Sequence, residues 1–297
     1  MRGGDIRCVT TVTELNVVRS VRLPDVAGSA LDGLAWSASG GGGIRLPVRW
    51  PEPVSREWAF GESSGRGVRV CVIDSGVERD HPGVGPVDGA VVVEADGETL
   101  RIRPDEAGDV AGHGTACAGI IRSLAPDCAL HSVRVLGPEA TGNSRVLLAG
   151  LAWAVQQGFD IVNLSLSTRR RDQAEALREL ADTAYFQRTV LVASAHNAAV
   201  ESFPWRFGAV LSVGSHDSPD PLEYRYNPRP PVEFFARGVD VEMPWLGGGT
   251  TVASGNSFAT AHLAGVCAKV LAKHPGLTPF ELKTLLYLTA TNVGGDA

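Results

Sequence analysis

The chain has 297 residues, 44% hydrophobic and 20% charged, with 27 Lys and Arg against 33 Asp and Glu. That is ordinary globular composition, which excludes a disordered or fibrous chain and suits one large α/β domain or two small ones. The formal charge of −6 gives no footprint for nucleic acid or an anionic membrane. The most apolar stretch, 146–155, is about half the roughly 20 residues that span a bilayer.

In chain order, the N-terminus MRGGDIRC lacks the apolar core of a secretory signal. Residues 15–21 read as a strand, and the four glycines at 40–43 read as a flexible linker. Residues 1–47 are therefore an N-terminal arm and 48–297 the main domain. From there, β-branched runs at 68–73, 131–136, 160–166, 189–195 and 209–215 predict strands covered on both faces. Between them, Asn143 or Ser144 caps a helix running to about Gln157, which Gly158 stops. Asp172 caps a second helix to about Gln187, and Thr278-Pro279-Phe280-Glu281 is a capping box. Strand, helix, strand repetition predicts a mainly parallel sheet flanked by helices, an α/β fold. Cys8, Cys71, Cys117, Cys128 and Cys267 are odd in number and form no CxxC pair. They read as reduced, mostly buried thiols, which points to the cytoplasm and leaves secretion open.

Three segments place a polar side chain among small residues at a strand end or helix start. They are Val72-Ile73-Asp74-Ser75-Gly76, Gly112-His113-Gly114-Thr115 and Gly255-Asn256-Ser257-Phe258-Ala259-Thr260. Singly, each has a bland reading as a turn former, surface residue or helix cap. Together they supply a nucleophile, a base and a carboxylate to orient the base. The chain here resembles the subtilase family of serine proteases over about 48–290, with Asp, His and Ser in that family's order. Supporting matches are His81-Pro82, 133–137, 161–166 and Phe203-Pro204.

The resemblance implies a subtilisin-like three-layer fold and a serine endopeptidase working through an acyl-enzyme, without a cofactor. Asp74, His113 and Ser257 would be the triad. Asn197 and the Ser257 backbone N–H would form the oxyanion hole, with Asn256 as a further donor. An extended peptide would lie between two edge segments, 134–143 with Leu136 and Gly137, and 164–168 with Ser165, Leu166 and Ser167. The pocket for the residue before the cut would be walled by Ser165 to Ser167, by Ser194 to Asn197, including Ala195 and His196, and by Glu201 and Ser202. Glu201 there would favour a basic residue.

The chain also departs from the family. His196 replaces a glycine beside Asn197, and either narrows the pocket, tilts Asn197 or points outward; Ser167 also replaces a glycine. The insertion that carries a calcium site in secreted relatives is missing after 121–124, and Gly83 stands where a ligand Asp is usual, so no metal is expected. Asp105, Glu106 and Asp109 read as a solvated acidic loop. Arg169-Arg170-Arg171 is either a solvated loop or an attractor of acidic peptide. The arm at 1–47 is short for a folding propeptide, and a shortened inhibitory or docking arm, open to self-cleavage in the linker, is expected. A maturation protease for one peptide is the finer expectation. A catalytically silent peptide- or partner-binding scaffold is the alternative.

Overall fold

The computed structural model describes residues 49–97 and 99–293. The expected strand at 15–21, the glycine linker and Cys8 lie outside the described residues. Helix α1 (Arg56–Phe60), opened by the Ser55 hydroxyl accepting from Trp58 N–H, leads to β1 (Arg69–Asp74). Then come β2 (Gly89–Asp96), β3 (Thr99–Pro104), α2 (His113–Leu124), β4 (Ala129–Arg134), α3 (Ser144–Gln156) and β5 (Ile161–Leu164). They are followed by α4 (Ala174–Phe186), β6 (Val190–Ser194), β7 (Leu211–His216), β8 (Tyr224–Tyr226) and β9 (Phe234–Arg237). A hairpin of β10 (Val241–Trp245) and β11 (Gly249–Ala253) precedes the closing helices α5 (Asn256–Lys273) and α6 (Pro279–Thr289).

Among the described residues nine strands form one sheet in the order β3-β2-β4-β1-β5-β6-β7-β9-β8. The run from β2 to β9 is parallel, and β3 and β8 close its edges antiparallel. The unbroken apolar runs are explained by burial on both faces. In β1, Val70 and Val72 pack toward α2, α5 and α6, while Cys71 and Ile73 pack toward α3 and α4. Each fully buried Ile or Leu, such as Ile73 and Leu164, contributes about 2 kcal/mol. The chain leaves β1 for β2 and β4 on one side and then crosses to β5, β6 and β7 on the other. Connections therefore diverge above the carboxyl end of β1, which is where open α/β sheets hold their sites.

Asn143 Oδ1 accepts from Arg145 N–H at 2.9 Å to open α3, and both halves of the Thr278–Glu281 capping box are formed. Asp172 does not cap α4. Its carboxylate is held by the Arg170 guanidinium at 2.8 and 2.9 Å, within a single 3-10 turn that precedes the helix. A planar fork two residues away outcompetes the backbone amides for that carboxylate. The acidic loop is not solvated either, except at Glu106. Asp105 is fully buried in a two-pronged pair with Arg134, both bonds 2.9 Å. At the end of α2 the Arg122 guanidinium donates to the carbonyls of Val84, Pro86, Pro126 and Cys128 at 2.6–3.0 Å, so a side-chain cation gathers that turn.

Candidate active site

Asp74 ends β1 with no exposed surface. Its carboxylate accepts from Ser75 N–H at 2.7 Å and meets His113 Nδ1 at 2.8 and 2.9 Å. A carboxylate only accepts, so Nδ1 carries the proton and Nε2 keeps its lone pair. The Asp74 charge raises the His113 pKa above the ordinary imidazole value, against the opposing effect of burial. His113 reaches this place because two glycines let the chain turn tightly into α2. Gly112 has φ +90°, and a Cβ there would lie 2.6 Å from the Trp245 ring. A Cβ on Gly114 would lie 1.9 Å from Gly76 O.

A second carboxylate braces the pair. Asp109 Oδ1 accepts from Ser75 Oγ (2.8 Å), Ala111 N–H (2.9 Å) and Gly112 N–H (2.8 Å), and Oδ2 from Thr115 N–H (2.8 Å) and Oγ (2.6 Å). Ser75 Oγ in turn accepts from Gly114 N–H at 3.0 Å. Asp109 thus satisfies the free amides at the start of α2 and ties Ser75, whose N–H serves Asp74, to the turn carrying His113. Reading 105–109 as solvent-facing missed it. The available signal was an acidic residue four positions before a histidine that opens a helix.

Ser257 is the second residue of α5. Its hydroxyl donates to Ser165 O at 3.0 Å, and no hydrogen bond joins it to His113 in this structure. Ser165 Oγ donates to Ser257 O at 3.0 Å and accepts from Asn163 Nδ2 at 2.9 Å, so a short polar chain from β5 fixes the nucleophile's turn. The rings of His113 and Phe258 lie 5.7 Å apart, which brings the three motifs together.

Asn197 Oδ1 accepts from Asn256 N–H at 3.0 Å, which turns the amide so that Nδ2 remains a donor beside the start of α5. Asn256 departs from the expected extra donor. Its Oδ1 accepts from Ser215 N–H (2.9 Å) and Oγ (2.8 Å), and its Nδ2 donates to Ala195 O (3.0 Å). It clamps the loop carrying Asn197 to the helix carrying Ser257. His196 folds back on its own loop, with Nδ1 accepting from Ala198 N–H at 3.0 Å.

Among the described residues the backbone groups of Leu166 and Ser167 have no protein partner, which leaves an open edge beside Ser257. On the opposite edge Leu136 and Gly137 donate their N–H groups to Asp74 O (3.2 Å) and Thr141 O (2.9 Å), and Gly137 O accepts from Ala140 N–H (3.0 Å), so these groups are already engaged within the chain. Ser202 is fully buried and shares a hydrogen bond with Ser167. Glu201 is already paired with Arg171 and with Arg206, the latter at 2.6 Å, which removes the reason to expect a basic residue before the cut. Asp74, His113 and Cys117 place donor atoms within 4.8 Å of one another. Burial raises the Cys117 thiol well above its ordinary pKa, so its sulfur stays protonated and is a poor metal ligand.

A buried carboxylate on an imidazole, a hydroxyl at a helix start and an amide donor beside it, all above the carboxyl end of a parallel sheet, define a serine hydrolase. The sequence profile of the subtilase family matches residues 65–297. Subtilisin DY of Bacillus licheniformis is 31% identical over 245 residues, covering 77% of this chain and 86% of the relative. The subtilisin of Bacillus pumilus is 29% identical over 248 residues, covering 78% and 87%. The crystal structure of a cold adapted subtilisin-like serine proteinase superposes with a TM-score of 0.63 at 27% identity, covering 80% of this chain and 88% of that one. The chain belongs to the subtilase family and is a serine-type endopeptidase.

Proposed function

We propose that the chain hydrolyses extended peptides through an acyl-enzyme on Ser257. His113 Nε2 takes the hydroxyl proton as Oγ attacks the scissile carbonyl, then returns it to the leaving amine. Asp74 holds the imidazole in the productive tautomer and stabilises the imidazolium. The developing oxyanion is met by Asn197 Nδ2 and the Ser257 backbone N–H. A water deprotonated by the same imidazole then releases the acyl group. The peptide backbone pairs with the open edge at Leu166 and Ser167.

The observation that carries this reading is the engagement of His113 Nδ1 by both oxygens of a carboxylate with no exposed surface. One rotation of the Ser257 side chain must precede attack, because the hydroxyl rests on Ser165 O. That resting contact favours the second reading, a silent peptide-binding scaffold. A fluorophosphonate separates the two: labelling of the wild type, lost in Ser257→Ala, supports the protease, and an unlabelled wild type that still binds peptide supports the scaffold. The finer part of the proposal is a processing role on few peptides in a reducing compartment, which the buried, unpaired Cys71, Cys117, Cys128 and Cys267 support.

A further inference from the structure

We propose that this enzyme cuts after glycine, alanine or serine, because Ser167, Ser202 and Trp205 close the floor of the recess that receives the side chain preceding the cut. The inference rests on Ser257 as nucleophile and Asn197 as oxyanion donor. Strands β5 and β6 are neighbours, paired at Leu164 and Ala193, and the chain beyond each touches one side of the nucleophile's turn. Ser257 Oγ bonds Ser165 O, and Asn256 N–H bonds Asn197 Oδ1. A carbonyl placed between Ser257 Oγ and Asn197 Nδ2 therefore sends its residue's side chain between 165–167 and 195–197.

Beneath that gap runs the segment 201–205, held there because Thr168 and Phe203 exchange both backbone hydrogen bonds at 2.9 Å. Ser167 Oγ donates to Ser202 Oγ at 3.0 Å, and Trp205 Nε1 donates to the same oxygen at 2.8 Å. Ser202 and Ala195, expected to line an open pocket, are sealed from water at 0% and 4% exposed, and Trp205 beside them is 7% exposed. A methyl or hydroxymethyl group fits above this bridge. A leucine or phenylalanine must break the bond between the two serines, strand the buried indole N–H and push a packed tryptophan aside.

A neighbouring cavity of about 530 Å³ extends toward β7 and β9 along Gly214, Val232 and Phe235; it shares Ala195, Glu201 and Trp205 with the recess, but neither Ser167 nor Ser202 lines it, so the bridge between the two serines lies outside it.

The test uses internally quenched peptides of one sequence that differ only in the residue before the cut: Ala, Ser, Leu or Phe. The wild type is expected to show kcat/KM for Ala at least about 100-fold above Phe. Ser167→Gly and Ser202→Gly are each expected to narrow that ratio by tenfold or more. Wild-type cleavage after Leu or Phe within about threefold of Ala overturns the inference, as does an unchanged ratio in both variants. Fluorophosphonate labelling run in parallel separates the failures. Labelled enzyme with the wrong preference sinks this inference alone, whereas loss of both labelling and cleavage sinks the reading of Ser257 beneath it.

Discussion

The two halves of the active site are held in different ways. Around α2, the base is organised before substrate arrives: His113 is engaged by Asp74, and its turn is gathered by five hydrogen bonds to Asp109. Around α5, the nucleophile's backbone is clamped by Asn256 and Ser165, yet its hydroxyl rests on a carbonyl. A buried charge must be satisfied to exist at all, so the base side is rigid by electrostatic necessity. A neutral hydroxyl can change partners at small cost, and the serine side keeps one rotation in reserve.

The largest break in that comparison is Ser257→Ala, which removes the bond-forming atom. kcat should fall about 10⁶-fold, the order known for subtilisin itself, measured on any peptide the wild type cleaves. Asn197→Ala keeps the nucleophile and deletes the side-chain oxyanion donor. Its expected cost is about 3–4 kcal/mol in the barrier, a loss of several hundred-fold in kcat with a small change in KM.

Next comes acid sensitivity on the α5 side. His262 is buried with its pKa lowered to about 4 by desolvation, so the folded chain binds fewer protons than the unfolded chain below the ordinary histidine value. Stability should therefore fall as pH drops from about 6.5 to about 4 and then level off, by about 3 kcal/mol for this group. Denaturant melts of the wild type and His262→Gln across that range check it, the variant showing the flatter profile.

The smallest effect is the most diagnostic for the α2 side. Activity needs neutral His113, whose pKa is raised chiefly by Asp74 and further by Asp109, so kcat/KM should climb through an apparent pKa above the usual imidazole range. Asp109→Asn should cost about tenfold in kcat and move that acid limb to lower pH, because one of the negative charges raising it is gone. In stability terms the sign is opposite to His262. The His113 contribution is complete below the unfolded pKa and is lost as pH rises through the folded one.

The parallel strands, the helices α3 and α6, and the three catalytic motifs were legible because each depends on near neighbours in sequence. Apolar runs mark strands, Asn143 and Thr278 cap the helices that follow them, glycines bracket His113, and Gly255 precedes the turn that carries Ser257. Asp172 was misread because its competitor, Arg170, outreached the amides of the helix start. Asp105 and Asp109 were misread because their partners are distant in sequence or turn back through a tight loop: Arg134 on β4, Ser75 after β1 and the turn before α2.

By itself, the sequence determined the α/β class, the nucleophile, base and carboxylate, and the membership that their order and spacing announce. These are matters of residue type and local pattern, which a chain carries before it folds. Only the tertiary structure decided which polar groups face one another: that Ser257 rests on Ser165, that Asn256 spends its amide on Ala195 and Ser215, that Glu201 is neutralised by two arginines, and that Ser167 meets Ser202 above Trp205. Partner choice among buried polar groups follows from distance and desolvation, and both exist only once strands far apart in sequence lie side by side.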